Sequence, residues 1–449
     1  MKVLFSNPPW WVGQENVVDR NGVEGTVWTG GVRAGSRWPF TLNLRSAPDR
    51  FVWGDYRPYP FFMGYAASYA ARETQIQMAF RDSIALAESY DAYFQHLREA
   101  RYDLIFIESA TPSWDHDRAL IRTLNKVLPE VSVAVTGPIS ANAESVLALD
   151  NVVACIKGEY EKGTVKVIEG ATGVIDHDLL TREEMNASPF PYMDELHAHR
   201  YWDANPKGQL RPHAQVWSSR GCPFKCIFCV WPAAMTGNDP DGSAKRSVRH
   251  YSPEYMEAYL TELVERFGYQ SIYFDDDTFN LGNSHVVRMC EVMQRVGLPW
   301  SAMCRADTIR METWKLMREA GCFGVKIGFE SGNQWVIDNI VNKHLDLDYA
   351  RTVVEECKRL GMTVHGTFTY GLPGETREQM MDTKRFIASL PLDTYQESGT
   401  AEIEGTPLAT FSQGGQVTGY DGAHADADYQ PDTDGARKWR ALAGELQRG

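Results

Sequence analysis

Basic side chains are in short supply in this sequence. Forty-five Lys and Arg stand against 59 Asp and Glu, a formal net charge of −14. That excess argues against a general electrostatic grip on DNA, RNA or an acidic membrane face and leaves only local basic pockets. Long apolar runs are missing as well. Nowhere do eighteen apolar residues follow one another, so no membrane span is expected. The start, Met1-Lys-Val-Leu-Phe-Ser-Asn-Pro-Pro, breaks after one short apolar stretch and has no signal-peptide core. No internal repeat or low-complexity tract is evident. Cysteine is sparse, eight in 449 residues. Five of them, Cys155, Cys290, Cys304, Cys322 and Cys357, stand singly in apolar or helical contexts. That usage fits reduced core thiols and a reducing compartment, not a disulfide framework. The expectation is a cytoplasmic protein with no nucleic-acid partner.

The other three cysteines are grouped. Residues 218 to 232 read Ser-Ser-Arg-Gly-Cys-Pro-Phe-Lys-Cys-Ile-Phe-Cys-Val-Trp-Pro, with Cys222-x-x-x-Cys226-x-x-Cys229 at the centre. Soft thiolates this close favour an iron–sulfur cluster or zinc. A closed zinc site wants four ligands. No fourth Cys is near, and the nearest His on either side are His213 and His250. Buried thiols, a zinc knuckle and a redox pair are the alternatives. The cluster reading is preferred because three cysteines at this spacing rarely serve packing alone. Three ligands leave one iron of a cubane open to a small molecule.

The surrounding pattern is α/β. Short apolar strands alternate with helices through residues 1 to 162 and again through 215 to 408, implying parallel sheets. In the first part the strands are expected at Val3–Phe5, 76–80, 102–108, 131–135 and 152–156. The segment from Trp11 to Tyr59 reads as too irregular for a plain helix or strand. Residues 163 to 214 read as a Pro-punctuated linker. Six strand–helix units follow, the last strand preceding Glu404. A short tail, 409 to 449, ends the chain, with a Gly- and Asp-rich stretch and a possible closing helix from Ala436 to Gln447.

The cysteine spacing and its following aromatic resemble the radical S-adenosylmethionine (SAM) family. The resemblance implies a partial (βα)6 barrel, with Cys222, Cys226 and Cys229 holding a [4Fe–4S] cluster at the carboxyl end of its first strand. It also implies that the open iron chelates SAM and reduces it, yielding a 5′-deoxyadenosyl radical. Candidate SAM contacts follow from the strand ends. Asp275, Asp276 and Asp277 would take the ammonium group and Arg305 the carboxylate. Glu330 and Ser331 would hold the ribose or methionyl group. Gly371 would pass close to the adenine, and Phe228 would shield the cluster. The plainer readings are a solvated acidic loop, a structural ion pair and core aromatics. Tyr273, His365 and Tyr370 lie on strands near the expected pocket, as proton relays or as packing.

A second resemblance covers the first 162 residues. Asn7-Pro-Pro-Trp10, Ser109-Ala-Thr-Pro-Ser113-Trp114, Thr136-Gly-Pro and Gly158-Glu159 look like the flavodoxin-like (Rossmann-like) cobalamin-binding domain that precedes many radical SAM domains. The resemblance places Pro9, Trp10, Ser109, Thr111, Ser113, Trp114, Thr136, Gly137, Gly158 and Glu159 around the corrinoid. The Asp-x-His-x-x-Gly signature is absent, since His116 is followed by Asp117, Arg118 and Ala119. That departure is usual in the radical SAM relatives, where no protein His sits on the cobalt. A ligand-free domain that only packs is the plainer reading.

The combination implies radical C-methylation of an unactivated carbon, with a small-molecule or peptide substrate and an external electron donor such as flavodoxin or ferredoxin. Cyclisation or rearrangement without methyl transfer is the alternative within enzymes, and a non-catalytic cobalamin- or cluster-binding regulator the alternative outside them. A tRNA methylthiotransferase ranks lower, because no basic RNA-binding appendage is apparent.

Overall fold

The computed structural model describes residues 1–18, 24–31, 40–47, 50–52, 56–400, 402–414 and 416–417. The expected closing helix at 436–447 lies outside them. The chain divides into two units, one of residues 1–203 with 232–238, the other of residues 204–231 with 239–449.

The first unit is built on a six-stranded, wholly parallel sheet. Its strands are Lys2–Asn7, Gln77–Asp82, Leu104–Glu108, Ser132–Thr136, Val152–Ile156 and Gly173–Ile175. The first strand pairs with both the second and the third, and the rest follow in sequence order. The strands read as continuous apolar runs because helices cover both faces. Val3, Leu4, Phe5, Ile105, Phe106 and Ile107 are at most 2% exposed, and Phe5 stacks on Phe106 at 5.0 Å. The chain turns to opposite sides after strands one and three. Sheets of this order bind ligands in the crevice at that switch point, here between Asn7 and Glu108. The last strand and the helix Glu161–Ile168 fall where a linker was expected. Both are short, and the strand has only three residues for a pattern to show in.

The segment expected to be irregular is instead a four-stranded antiparallel sheet. Its strands are Trp11–Val18, Glu24–Gly31, Phe40–Ala47 and Arg50–Val52. Glycines interrupt its alternation and hide the period.

The second unit carries the half-barrel. His213–Val216, Ser271–Phe274, Trp300–Cys304, Cys322–Glu330, Thr363–Tyr370 and Thr394–Gly399 pair in sequence order, all parallel. The helices between them start on recognisable caps. Ser252, Asp346 and Thr376 each accept from the backbone N–H three residues on, which satisfies a donor the first turn leaves open. Gly268 and Gly297 end helices in the left-handed conformation at φ 67° and 75°, where a Cβ is disfavoured. The sixth strand ends at Gly399, a few residues ahead of where the sequence pointed. The five singly placed cysteines are buried free thiols. No helix among the described residues is long and apolar enough to cross a membrane.

Candidate functional site

The cysteine loop leaves the carboxyl end of the first barrel strand, and the second strand's acids pin it there. Asp276 is fully buried. It accepts from the Ser218 N–H at 3.1 Å, the Ser218 hydroxyl at 2.8 Å and the Ser219 hydroxyl at 2.6 Å. Ser218 Oγ is also 3.0 Å from His285 Nε2. Asp277 Oδ2 accepts from the Gly221 N–H at 2.8 Å. Gly221 has φ 91°, and a Cβ there would meet Ser247 O at 2.2 Å, so the turn before Cys222 needs glycine. Cys222 Sγ lies 3.7 Å from Thr278 Oγ1.

Beyond Cys222 the loop is held by cations. Arg246 Nη1 donates to Phe224 O at 2.6 Å, and its Nη2 pairs with the buried Asp239 at 2.8 Å. The Arg305 guanidinium stacks 3.7 Å from the Phe224 ring centroid. It pairs with Asp307 through two bonds, at 2.5 and 2.9 Å, and reaches Lys343 O at 2.5 Å. Lys343 Nζ bonds Gly328 O at 2.6 Å and Glu330 Oε1 at 2.8 Å. The main chain of Ile227 is bonded on both sides, to Val341 O and from Leu408 N, each at 3.0 Å.

Burial pushes all three thiols above their usual range. The nearby Asp277 adds to the rise at Cys222. Lys343, Arg305 and Arg246 oppose it at Cys226, and Arg246 opposes it at Cys229. The thiols therefore carry protons until a metal displaces them, and the cations are placed to stabilise thiolates. Among the described residues no three His, Cys, Asp or Glu converge on a point as one metal ion requires. A cubane hangs each thiolate on its own iron, and three thiols, with Lys343, Arg305 and Arg246 near two of them, suit it as donors.

The predicted SAM contacts divide. Asp277, Glu330 and Gly371 stand at strand ends on the cluster's side of the sheet. Glu330 adopts φ 70° and Gly371 φ 72°, and the Gly371 N–H is bonded to Glu375 Oε2 at 2.8 Å. Phe228 is half-buried in the cysteine loop. Asp276 is committed to the loop's hydroxyls. Arg305 is committed to Asp307. Ser331 is fully buried, 3.1 Å from Thr383 Oγ1 on the following helix. Asp275 is buried beside Val216, whose carbonyl accepts its N–H at 2.9 Å. Tyr370 faces away from the barrel, donating to Glu397 Oε1 at 2.6 Å. Thr278, Lys343 and Arg246 carry no sequence signal. Thr278 meets Cys222 across 56 residues and Arg246 meets Phe224 across 22.

In the first unit the predicted corrinoid residues gather at the switch point and along the strand ends beside it. Trp10 is buried with its ring 5.9 Å from His116. His116 Nε2 lies 3.2 Å from Pro9 O and 3.0 Å from Tyr90 Oη. Thr111–Ser113 form a single turn before the helix Trp114–Val127. The Ser109 hydroxyl donates to the buried Asp117 at 2.6 Å. Trp114 turns into the core and bonds Ser145 Oγ at 3.3 Å. Gly137 has φ 89°, and a Cβ there would meet Ser109 O at 2.5 Å. Gly158 and Glu159 pack under Met235, whose carbonyl accepts the Glu159 N–H at 2.9 Å. Asn7 Oδ1, Thr136 Oγ1 and Ser140 Oγ are buried with no hydrogen-bond partner. Unspent groups of this kind call for an explanation, and a polar ligand over these strand ends supplies one.

Residues 218–387 match the Radical SAM superfamily. An uncharacterized methyltransferase of Pyrococcus horikoshii is 29% identical over 232 residues, 51% of this chain and 47% of that protein. The cytidylyl-2-hydroxyethylphosphonate methyltransferase of Streptomyces wedmorensis is 27% identical over 243 residues, 50% of this chain and 43% of that protein. The chain thus spans about half the length of these curated relatives. The radical SAM methyltransferase TsrM of Kitasatospora setae, solved with cobalamin and a [4Fe-4S] cluster, superposes with a TM-score of 0.63. That match covers 81% of this chain and 77% of that one at 15% identity. It is a likeness of fold. The likeness to the radical SAM superfamily thus lies in residues 218–387.

Proposed function

We propose that this protein is a cobalamin-dependent radical SAM enzyme that methylates an unactivated carbon of its substrate. The observation that carries the reading is the cysteine loop, three thiols clamped at the carboxyl mouth of a half-barrel by Asp276, Asp277 and Arg246. When bound, the [4Fe–4S] cluster supplies an electron for reductive cleavage of SAM, and cobalamin carries the methyl group. Cys222, Cys226 and Cys229 hold the cluster. Lys343 and Arg246 offset its negative charge. Asp277, Glu330 and the Gly371 turn orient SAM, and Phe228 keeps water from the cluster. Asn7, Thr136, Ser140 and the Gly137 turn hold the corrinoid's polar edge. In this scheme the protein binds, orients and excludes water. Asp276 and Arg305, read from sequence as SAM ligands, also support the loop through Ser218, Ser219 and Phe224.

The test is anaerobic reconstitution with iron, sulfide and hydroxocobalamin, then turnover with SAM bearing a trideuterated methyl group. The reading predicts 5′-deoxyadenosine, S-adenosylhomocysteine and a product heavier by one labelled methyl. Formation of 5′-deoxyadenosine with an unlabelled product would move the assignment to cyclisation or rearrangement. No SAM cleavage by loaded protein would leave a regulator.

A further inference from the structure

Between the helices Gln334–Asn339 and Leu347–Arg359 a short loop grips the cysteine loop on both sides of Cys226. Val341 O accepts the Ile227 N–H at 3.0 Å, and Asn342 Nδ2 donates to Lys225 O at 3.2 Å. Lys343 is next in the chain and is 7% exposed. Its carbonyl takes Arg305 Nη2, whose guanidinium lies on the Phe224 ring. The backbone around it is unusual. Asn342 and His344, on either side of Lys343, have φ 57° and 52°, and Glu330 has φ 70°. Residues with a Cβ rarely hold this left-handed conformation, and where they do the surrounding structure fixes them.

The Lys343 ammonium is fixed as firmly as its backbone. Nζ donates to Gly328 O at 2.6 Å and to Glu330 Oε1 at 2.8 Å. A Cβ on Gly328 would meet Glu330 Oε1 at 2.5 Å and Lys343 Nζ at 3.0 Å, so the pair fills the space that glycine leaves. The strand is irregular here too, its register slipping between Gly328 and Glu330. Two opposite charges are therefore held in set places near Cys226. Burial raises the Cys226 thiol; Lys343 opposes that rise ahead of Arg305 and Arg246, and Glu330 adds to it. Of the pair, the ammonium outweighs the carboxylate at the sulfur. One-electron reduction of a cluster adds a negative charge, and nearby charge is one of a protein's levers on that step. A unit charge within about 12 Å, at an effective dielectric of about 20, shifts such an equilibrium about tenfold.

We infer, resting on the cluster reading of the three thiols, that the fixed Lys343 ammonium makes the cluster easier to reduce and that Glu330 tempers this effect. The reconstituted full chain, without SAM, would be titrated with titanium(III) citrate in the presence of redox mediators. The EPR signal of the reduced cluster gives the reduced-to-oxidised ratio at each solution potential. Lys343→Met should lower that ratio about tenfold, a fall of about 59 mV for one electron. Glu330→Gln keeps an acceptor for the ammonium but removes the opposing charge, and should raise the ratio several-fold. Lys358→Met removes a lysine whose partner is Asp393, just ahead of the amino end of the strand Thr394–Gly399; it should leave the ratio unchanged. A residue that merely braced the loop would lower iron content and leave the ratio of the loaded fraction alone. Shifts of Lys343→Met and Glu330→Gln in one direction would overturn the inference. So would a wild-type ratio in Lys343→Met, and weaker SAM binding in that case would make Lys343 a SAM contact. If Lys343→Met binds no iron, Glu330→Gln decides alone: a raised ratio upholds the role, and an unchanged or lowered one ends it. A wild-type chain that takes up no cubane would remove the cluster reading and this role together.

Discussion

Asp276 offers the sharpest perturbation of the loop. Its carboxylate is fully buried and takes the Ser218 N–H and the hydroxyls of Ser218 and Ser219 at 2.6 to 3.1 Å. Hydrogen bonds to a charged group contribute about 1.5–3 kcal/mol each, but not additively. Asp276→Ala deletes the acceptor and leaves a buried N–H and two hydroxyls to find others. The two hydroxyls can rotate and the N–H cannot, so the expected loss is roughly 3–5 kcal/mol. Asp276→Asn keeps the shape and one acceptor oxygen. It turns an amide NH2 toward one of the donors and should cost about 2 kcal/mol. Urea unfolding followed by tryptophan fluorescence measures the loss, and iron per chain after reconstitution measures its effect on the loop. Both variants should load less iron than wild type, in the order Asn then Ala. If Asp276→Asn unfolds at the wild-type midpoint and loads full iron, the clamp is wrong, and Asp276 keeps only the SAM role read from its sequence.

Further outcomes follow from single contacts. Arg246→Leu leaves Asp239 buried without its partner and frees Phe224 O; it should cost about 3–5 kcal/mol, read by the same unfolding curve. Burial, helped by Lys326, lowers the His365 pKa to about 3, and burial lowers His213 to about 3. The unfolded chain takes protons on these rings near 6.5 and the folded chain does not. Stability from both is therefore full above pH 6.5 and is lost as pH falls toward 3, at about 1.4 kcal/mol per pH unit per ring. His365→Gln should flatten the melting temperature between pH 6 and 4, and an unchanged acid slope would contradict this. Gly137→Ala places a Cβ 2.5 Å from Ser109 O at φ 89°; it should weaken hydroxocobalamin binding in equilibrium dialysis with the iron content untouched.

Much of this was legible in the sequence, for identifiable reasons. The strands Ser271–Phe274, Trp300–Cys304, Thr363–Tyr370 and Val152–Ile156 and the helix Phe61–Glu73 stand where the apolar runs and turn residues put them. Their signals are local. The thiol spacing is local too. The clamp on the loop is not, because Asp276 reaches Ser218 across 58 residues and a triple acid looks alike whether it is solvated or buried. Lys343 and Arg246 approach the loop only through the fold. The polar side of the barrel strands was written in the alternation of Thr-Val-His-Gly-Thr-Phe-Thr-Tyr at 363–370 and Ser-Ile-Tyr-Phe at 271–274. A parallel strand buried on both faces should read as a continuous apolar run. The period of two therefore carried information that a search for strands alone passes over.

The most direct measurement is metal loading at the three thiols. After anaerobic reconstitution the wild-type chain should bind about four irons with matching sulfide, as one cubane. On reduction it should give a cluster EPR signal that shifts when SAM is added. The Cys222→Ala, Cys226→Ala, Cys229→Ala triple variant should bind none and show neither signal. One tightly held zinc per wild-type chain, or full iron in the triple variant, would contradict the account.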